Sequence, residues 1–441
     1  MRAQHVSRRT ARSNLLNYTF GSVWLCSAKL SMPQPFVEQI RLDSFLSFPP
    51  GSEPIELKPL NVVVGPNGSG KSNLLEAFEL LSAIPSAGAF QSLMELGGGA
   101  PSWLWCGGDA SAIDVLINGE EERRFEYKLK WAPRPRSMLD TRPRPRADQV
   151  TDKYACILDE SFVEVPSANG NPMTYFRTDG DKVVLSSRDI GPSGPEPYKT
   201  QTIDREYIGN AGSILSQRNT KGSHPDNIWL TRELRKIRSF RDWSFGRGSI
   251  PRDSQDIDNN GVHLGWYGSN FGGMLLGLSQ RDAVEPINEY LREFLPRAIR
   301  LDTQVVDGEI KVSLTEKGLC GPIPATRMSD GTLRFIALLI ELLDDPPPLL
   351  CIDQPELGFH PDALTQVARL LVKASEHTQI IVITHSGTLL DAFVGHEDSV
   401  LVCDYDEGTR IRPLDLEYLA ELLEEHSIGE LWRMGHIGGN P

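Results

Sequence analysis

The chain has 441 residues, which at ~150 residues per domain leaves room for about three compact units. Its 39% hydrophobic and 24% charged residues exclude a wholly disordered, collagenous or polytopic membrane chain. With 45 basic against 59 acidic side chains the net charge is −14, so the molecule repels a nucleic-acid backbone unless positive charge is gathered locally.

Six cysteines, at 26, 106, 156, 320, 351 and 403, form no CxxC pair, so neither a zinc knuckle nor a disulfide framework is expected. A reducing cytoplasm fits this usage. Residues 1–35 carry five basic side chains and no acidic one, and the apolar run 15–28 imitates a signal peptide. That run is broken by Asn17, Thr19, Gly21 and Ser22, and Arg8-Arg9 lacks the apolar stretch that follows a twin-arginine signal. The segment therefore reads as an extension, disordered or untranslated, with Met32 an alternative start. No other run approaches the ~18 apolar residues of a membrane-spanning helix.

From residue 36 the chain shows short apolar runs, PFVEQIRLDSFLSF and then LNVVVGPN, which predict strands. After the second, KSNLLEAFELLSAI places Leu74, Phe78 and Leu81 on one helical face, so the order is strand, loop, helix. Residues 113–188 alternate apolar and polar side chains between Gly, Pro and Asn turns and predict an antiparallel sheet. Within that stretch, residues 131–146 hold five arginines, four prolines and one aspartate, a stiff exposed basic loop. Residues 206–300 predict a mainly helical insertion, in which Arg232, Arg235, Lys236, Arg238 and Arg241 are candidates, with the 131–146 arginines, to meet nucleic acid. Residues 301–441 are strongly acidic, with 24 carboxylates against 9 basic side chains.

The chemistry begins at GPNGSGKS, residues 65–72, which satisfies G-x-x-x-x-G-K-[ST] between a strand and an amphipathic helix. Gly65, Pro66, Asn67, Gly68, Ser69 and Gly70 turn backbone N–H groups toward phosphates at a helix N-terminus; Lys71 reaches the outer phosphates and Ser72 offers a hydroxyl to Mg2+. Downstream, the apolar run 349–352 closes on Asp353, placed to hold Mg2+ at a strand end. A second β-branched strand, 378–386, ends at His385 beside Thr384 and Ser386. Ser329, Asp330 and Gly331 open a helix 24 residues before Asp353, as an anion site or an ordinary N-cap.

Lys71 and Asp353 are 282 residues apart, and the glycine cluster precedes the acidic strand. That order resembles the ATP-binding cassette heads of the SMC and RecF type, and more closely a family of bacterial RecF-like AAA ATPases of OLD/AbiEii-like kind. The matching blocks run from FVEQIRLDSFLSF through YGSNFGGMLLGL, IPATRMSDGTLRFIALL, LLCIDQPELGFHPDAL and IIVITHSGTLLDAF to IGELWRMGHIGGNP. The resemblance implies an α/β P-loop NTPase of ABC/SMC-head type: lobe I over 36–205, the insertion over 206–300 and lobe II over 301–441. It implies that Ser329, Asp330 and Gly331 form the signature loop that meets a partner's γ phosphate. It also implies that Gly358, His360 and Pro361 cross the dimer interface, that His385 is the switch histidine and that Gln91 is a Q-loop residue.

One position departs from the family. The usual glutamate after the Mg2+ aspartate is Gln354 here, which positions water but takes no proton, so turnover is expected to be slow; Glu356 is the candidate substitute. Asp404 and Asp406 read as a hairpin turn rather than part of a Toprim nuclease. The expectation is Mg2+-ATP binding that closes a homodimer, with hydrolysis reopening it, in DNA repair or phage defence and coupled to DNA or a partner protein. The alternative is a non-hydrolysing ATP switch acting on a partner; a transporter subunit fits the insertion less well.

Overall fold

A computed structural model shows how these runs assemble. It describes residues 34–438 apart from 135–152, 167–172, 188–189, 192–193, 196–198, 206–211, 218–223, 242–243, 259–260 and 262. Nearly all of the 1–35 extension and most of the basic 131–146 loop lie outside the described residues.

The chain enters through β1 (Val37–Asp43), β2 (Ile55–Glu56) and β3 (Leu60–Val64), then α1 (Lys71–Ala83) and α2 (Ala89–Leu96). There follow β4 (Ser111–Asn118), β5 (Arg124–Pro133), β6 (Ala155–Glu164), β7 (Thr174–Asp179), β8 (Lys182–Ser187), the two-residue β9 (Ile190–Gly191) and β10 (Gly194–Pro195), and β11 (Lys199–Asp204). Eight strands pair antiparallel in the order β11-β8-β7-β6-β5-β4-β1-β2. Alternation explains the sheet: β5 buries Phe125, Tyr127, Leu129 and Trp131 on one face while the residues between them reach toward solvent.

Residues 206–300 hold α3 (Ile214–Gln217), α4 (Pro225–Lys236), β12 (Arg238–Phe240), β13 (Gln255–Asp256), α5 (Phe271–Gln280) and α6 (Glu285–Phe294). This stretch is not one helical arm. Helix α4 packs against α1, and β12 runs parallel to a core strand, Phe240 opposite Ile352. Next come β14 (Ala298–Val306), β15 (Glu309–Glu316), β16 (Ile323–Pro324), α7 (Asp330–Leu343), β17 (Leu349–Asp353), α8 (Pro361–Ala374) and β18 (Gln379–Ile383). The chain ends with α9 (Gly387–Asp391), β19 (Val400–Tyr405), β20 (Thr409–Pro413), α10 (Leu416–Leu419) and α11 (Ile428–Arg433).

The central sheet has the order β12-β17-β18-β3-β19-β20, parallel except for the β19–β20 hairpin that carries Asp404 and Asp406. Its inner strands β17, β18 and β3 are largely apolar and buried because both faces are covered, whereas the edge strands β12 and β20 are not. Val63, Cys351, Ile381 and Ile383 enter one core with α1 and the antiparallel sheet. Val62, Val64, Leu350, Ile352, Ile380 and Val382 enter a second core with α7 and α8. The fold is α/β with a P-loop; β3 (Leu60–Val64) pairs with β18 (Gln379–Ile383), and β18 with β17 (Leu349–Asp353), despite the sequence between them.

Candidate active site

In a parallel sheet the C-terminal strand ends and the loops that follow them form a crevice. Here Asp353 lies opposite Ile383, Ile383 lies opposite Val63, and the Thr384 N–H donates to the Val63 carbonyl at 3.2 Å. The loops carrying 65–72, 353–356 and 384–386 therefore leave three adjacent strands side by side.

The 65–70 loop closes on itself around Lys71. Lys71 is 4% exposed, and its ammonium donates to the carbonyls of Gly65 at 2.8 Å and Pro66 at 2.7 Å. Burial lowers its pKa and the field of Asp353 opposes that shift. Gly70, at φ 99°, is the N-cap of α1 without a capping side chain, so N–H groups of the first turn remain for a ligand. A Cβ on Gly70 would collide with the hydroxyls of Thr409 and Ser47, and one on Gly65 with the Cys403 carbonyl. Thr409 Oγ1 donates to the Ser69 carbonyl at 2.7 Å and lies 2.6 Å from Ser47 Oγ, which accepts from Asn73 Nδ2 at 2.6 Å. A brace from β20 and the β1–β2 connection thus fixes the loop. Asn67 and Gly68 stay exposed, and a side chain on Gly68 would meet nothing within 4 Å.

The acidic loop is equally constrained. Gln354 has φ 50°, and its N–H donates to Ile383 at 2.8 Å. Glu356 Oε1 accepts from Thr384 Oγ1 at 2.8 Å and from the His385 N–H at 2.9 Å, while Oε2 is buried with no hydrogen-bond partner among the described residues. Burial raises the Glu356 pKa from its ordinary value. Burial, and next the nearby Lys71 charge, lower that of His385, so the imidazole is neutral near pH 7.

Ser329 is the N-cap of α7, accepting from the Thr332 N–H at 3.1 Å, and both Ser329 and Asp330 are exposed. Gly331 permits close packing: a Cβ there would stand 2.7 Å from the Gly358 carbonyl. Gly358 has φ 80°, His360 is the exposed N-cap of α8 and Pro361 its first residue. Gln91 bridges α2 to β6, its amide donating to and accepting from Ala155 at 2.9 Å each way.

Of the basic residues expected to meet nucleic acid, Arg238 and Arg241 face acidic partners inside the fold, Arg232 and Arg235 are exposed and Lys236 is half-buried. Arg238 pairs with buried Glu341 at 2.9 Å, and Arg241 with Glu76 at 3.3 Å and Glu79 at 3.4 Å. Arg235 donates to the Pro85 carbonyl and Arg232 to Glu233. The Thr409–Ser47 brace and Arg252, which binds the loop before Ser329, had no local signal in the sequence.

Ser72 and Asp353 offer hard oxygen donors, which suit Mg2+ completed by phosphate and water. The glycine turns, the open helix N-terminus and the buried ammonium fit a polyphosphate. Among the described residues no group of three or more His, Cys, Asp or Glu forms a metal cage of its own. This is the site of a P-loop NTPase. Residues 60–391 match the family model described as "AAA domain, putative AbiEii toxin, Type IV TA system", and the chain belongs to that family. The Old nuclease of Escherichia phage P2 is 28% identical over 194 residues, 40% of this chain and 32% of that protein, so the chain spans about a third of that relative. Similar solved structures include an SmcHead bound to the C-winged helix domain of ScpA, at 14% identity and TM-score 0.49, covering 88% of this chain and 100% of that one. The SMC head domain from Thermotoga maritima matches at 14% identity and TM-score 0.41, covering 86% of this chain and 99% of that one. No helix among the described residues is long and apolar enough to cross a membrane.

Proposed function

We propose that the chain binds Mg2+-ATP at the shared edge of β3, β18 and β17, hydrolyses it slowly, and uses it to close a homodimer. The observation that supports this most is that the loops bearing Lys71, Asp353, Glu356 and His385 leave three adjacent strand ends, although 282 residues separate Lys71 from Asp353 in sequence. In this reading the loop N–H groups and Lys71 hold the phosphates, and Ser72 and Asp353 hold the metal, which supplies Lewis-acid polarisation when bound. Gln354 orients water. Glu356, with a raised proton affinity, is the acceptor within the same loop. His385 contributes a neutral imidazole beside Lys71.

Ser329 and Asp330 face solvent, as a loop that completes a second copy's site must. Coupling to DNA is supported less, since Arg238 and Arg241 are committed to internal carboxylates, and a protein partner is favoured. A non-hydrolysing switch is the second reading, favoured by Gln354 and by the commitment of Glu356 Oε1 to Thr384 and His385. Lys71→Ala tests the primary reading: nucleotide affinity measured by calorimetry falls at least about tenfold while circular dichroism is unchanged. Unchanged affinity would remove the assignment.

A further inference from the structure

The geometry points to Arg252 as a positioning residue of the signature site: it holds the 325–330 loop in shape and cancels the charge of Asp330, so that this loop can receive a second copy's polyphosphate. The inference deepens the homodimer reading and rests on it. Arg252 lies within 206–300, outside every nucleotide motif, yet it is only 7% exposed. Its Nε donates to the carbonyls of Phe245 at 2.7 Å and Gly246 at 3.1 Å. Its Nη1 donates to Met328 at 2.8 Å, Ala325 at 3.3 Å and Thr326 at 3.4 Å, and Nη2 pairs with the Asp330 carboxylate.

One guanidinium thus ties the 245–252 turn to the backbone on the N-terminal side of α7. A planar, permanently charged fork is the side chain able to do this; a lysine has one small ammonium and no fork. The charge matters as much as the shape. Asp330 is exposed at 57%, beside Ser329 and the first N–H groups of α7. An uncompensated carboxylate at that position faces an incoming phosphate with like charge, a juxtaposition that weakens association strongly. Arg252 behind it neutralises the carboxylate from the protein side and leaves the serine hydroxyl and helix N-terminus outward.

The test compares the parent with Arg252→Met, Asp330→Asn and the double variant. Association in Mg2+ and a non-hydrolysable ATP analogue is measured by sedimentation velocity, and binding to the single chain by a fluorescent ATP analogue at low protein concentration. Arg252→Met weakens association at least about tenfold without altering binding to the single chain. Asp330→Asn, which leaves the buried fork intact, strengthens association, and adding it to Arg252→Met recovers the part of the loss that is due to charge, the part due to loop shape remaining. A residue that merely stabilised the fold would give no such recovery. Association of Arg252→Met at parental strength overturns the inference. So does weakening by Asp330→Asn, which keeps the inference testable even if Arg252→Met does not fold. If the parent itself does not associate, the homodimer reading fails first, and this inference falls with it.

Discussion

Exchanging the amide and carboxylate at 354 and 356 separates the two candidate groups. In Glu356→Gln the amide oxygen replaces Oε1, which accepts from Thr384 Oγ1 at 2.8 Å and the His385 N–H at 2.9 Å, so both bonds and the loop geometry persist. The other atom becomes an NH2 where the buried Oε2 stood, and an amide nitrogen takes no proton. A general base contributes roughly 10²- to 10⁴-fold, so if Glu356 is the acceptor, single-turnover hydrolysis falls by that order with ATP affinity retained. Gln354→Glu, in contrast, restores a carboxylate next to Asp353, and turnover rises if the position orients water without a nearby base. Rapid-quench measurement at saturating enzyme isolates the chemical step. Unchanged rates in both variants would refute the placement of the reacting water at this loop.

The raised proton affinity of Glu356 sets a pH dependence. As base it must be ionised, so turnover rises with pH through a midpoint above the ordinary glutamate value of about 4.3, and Glu356→Gln removes that acid limb. For stability the sign is the reverse: a raised folded pKa stabilises below the unfolded value and is lost as pH rises through the folded one, so Glu356→Gln gains stability relative to the parent at neutral pH in thermal melts. Thr409→Val deletes the donor to the Ser69 carbonyl and the Ser47 contact. Losing that buried bond costs about 1 kcal/mol, seen as a lower melting midpoint, and loosening of the loop weakens ATP binding several-fold by calorimetry.

The parts of the site that the sequence discloses are those whose physics is local. The 65–72 loop lies between a β-branched strand and a helix with its own apolar face, and residues 349–352 and 380–383 are continuous apolar runs because their strands are buried on both faces. Ser329 at the head of α7 is a local N-cap, its side chain accepting from the Thr332 N–H. The parts that stay hidden depend on partners far along the chain. Strand β12 has three half-buried residues and no periodicity, and it exists because β17 offers an edge. The cations of 232–241 look like a nucleic-acid face in sequence, but Glu341 is 103 residues from Arg238 and Glu76 165 from Arg241. Likewise, Thr409 braces Ser69 across 340 residues, and Arg252 reaches Met328 across 76.

If nucleotide at the β3–β18–β17 edge closes two copies on each other, the mass in solution depends on the nucleotide bound. Light scattering of the parent chain, of 49.0 kDa, with Mg2+ and a non-hydrolysable ATP analogue is expected to show a doubled mass, while ADP and the nucleotide-free chain give the single-chain mass. Nucleotide binding demonstrated by calorimetry, with an identical mass in all three conditions, would rule out nucleotide-driven closure.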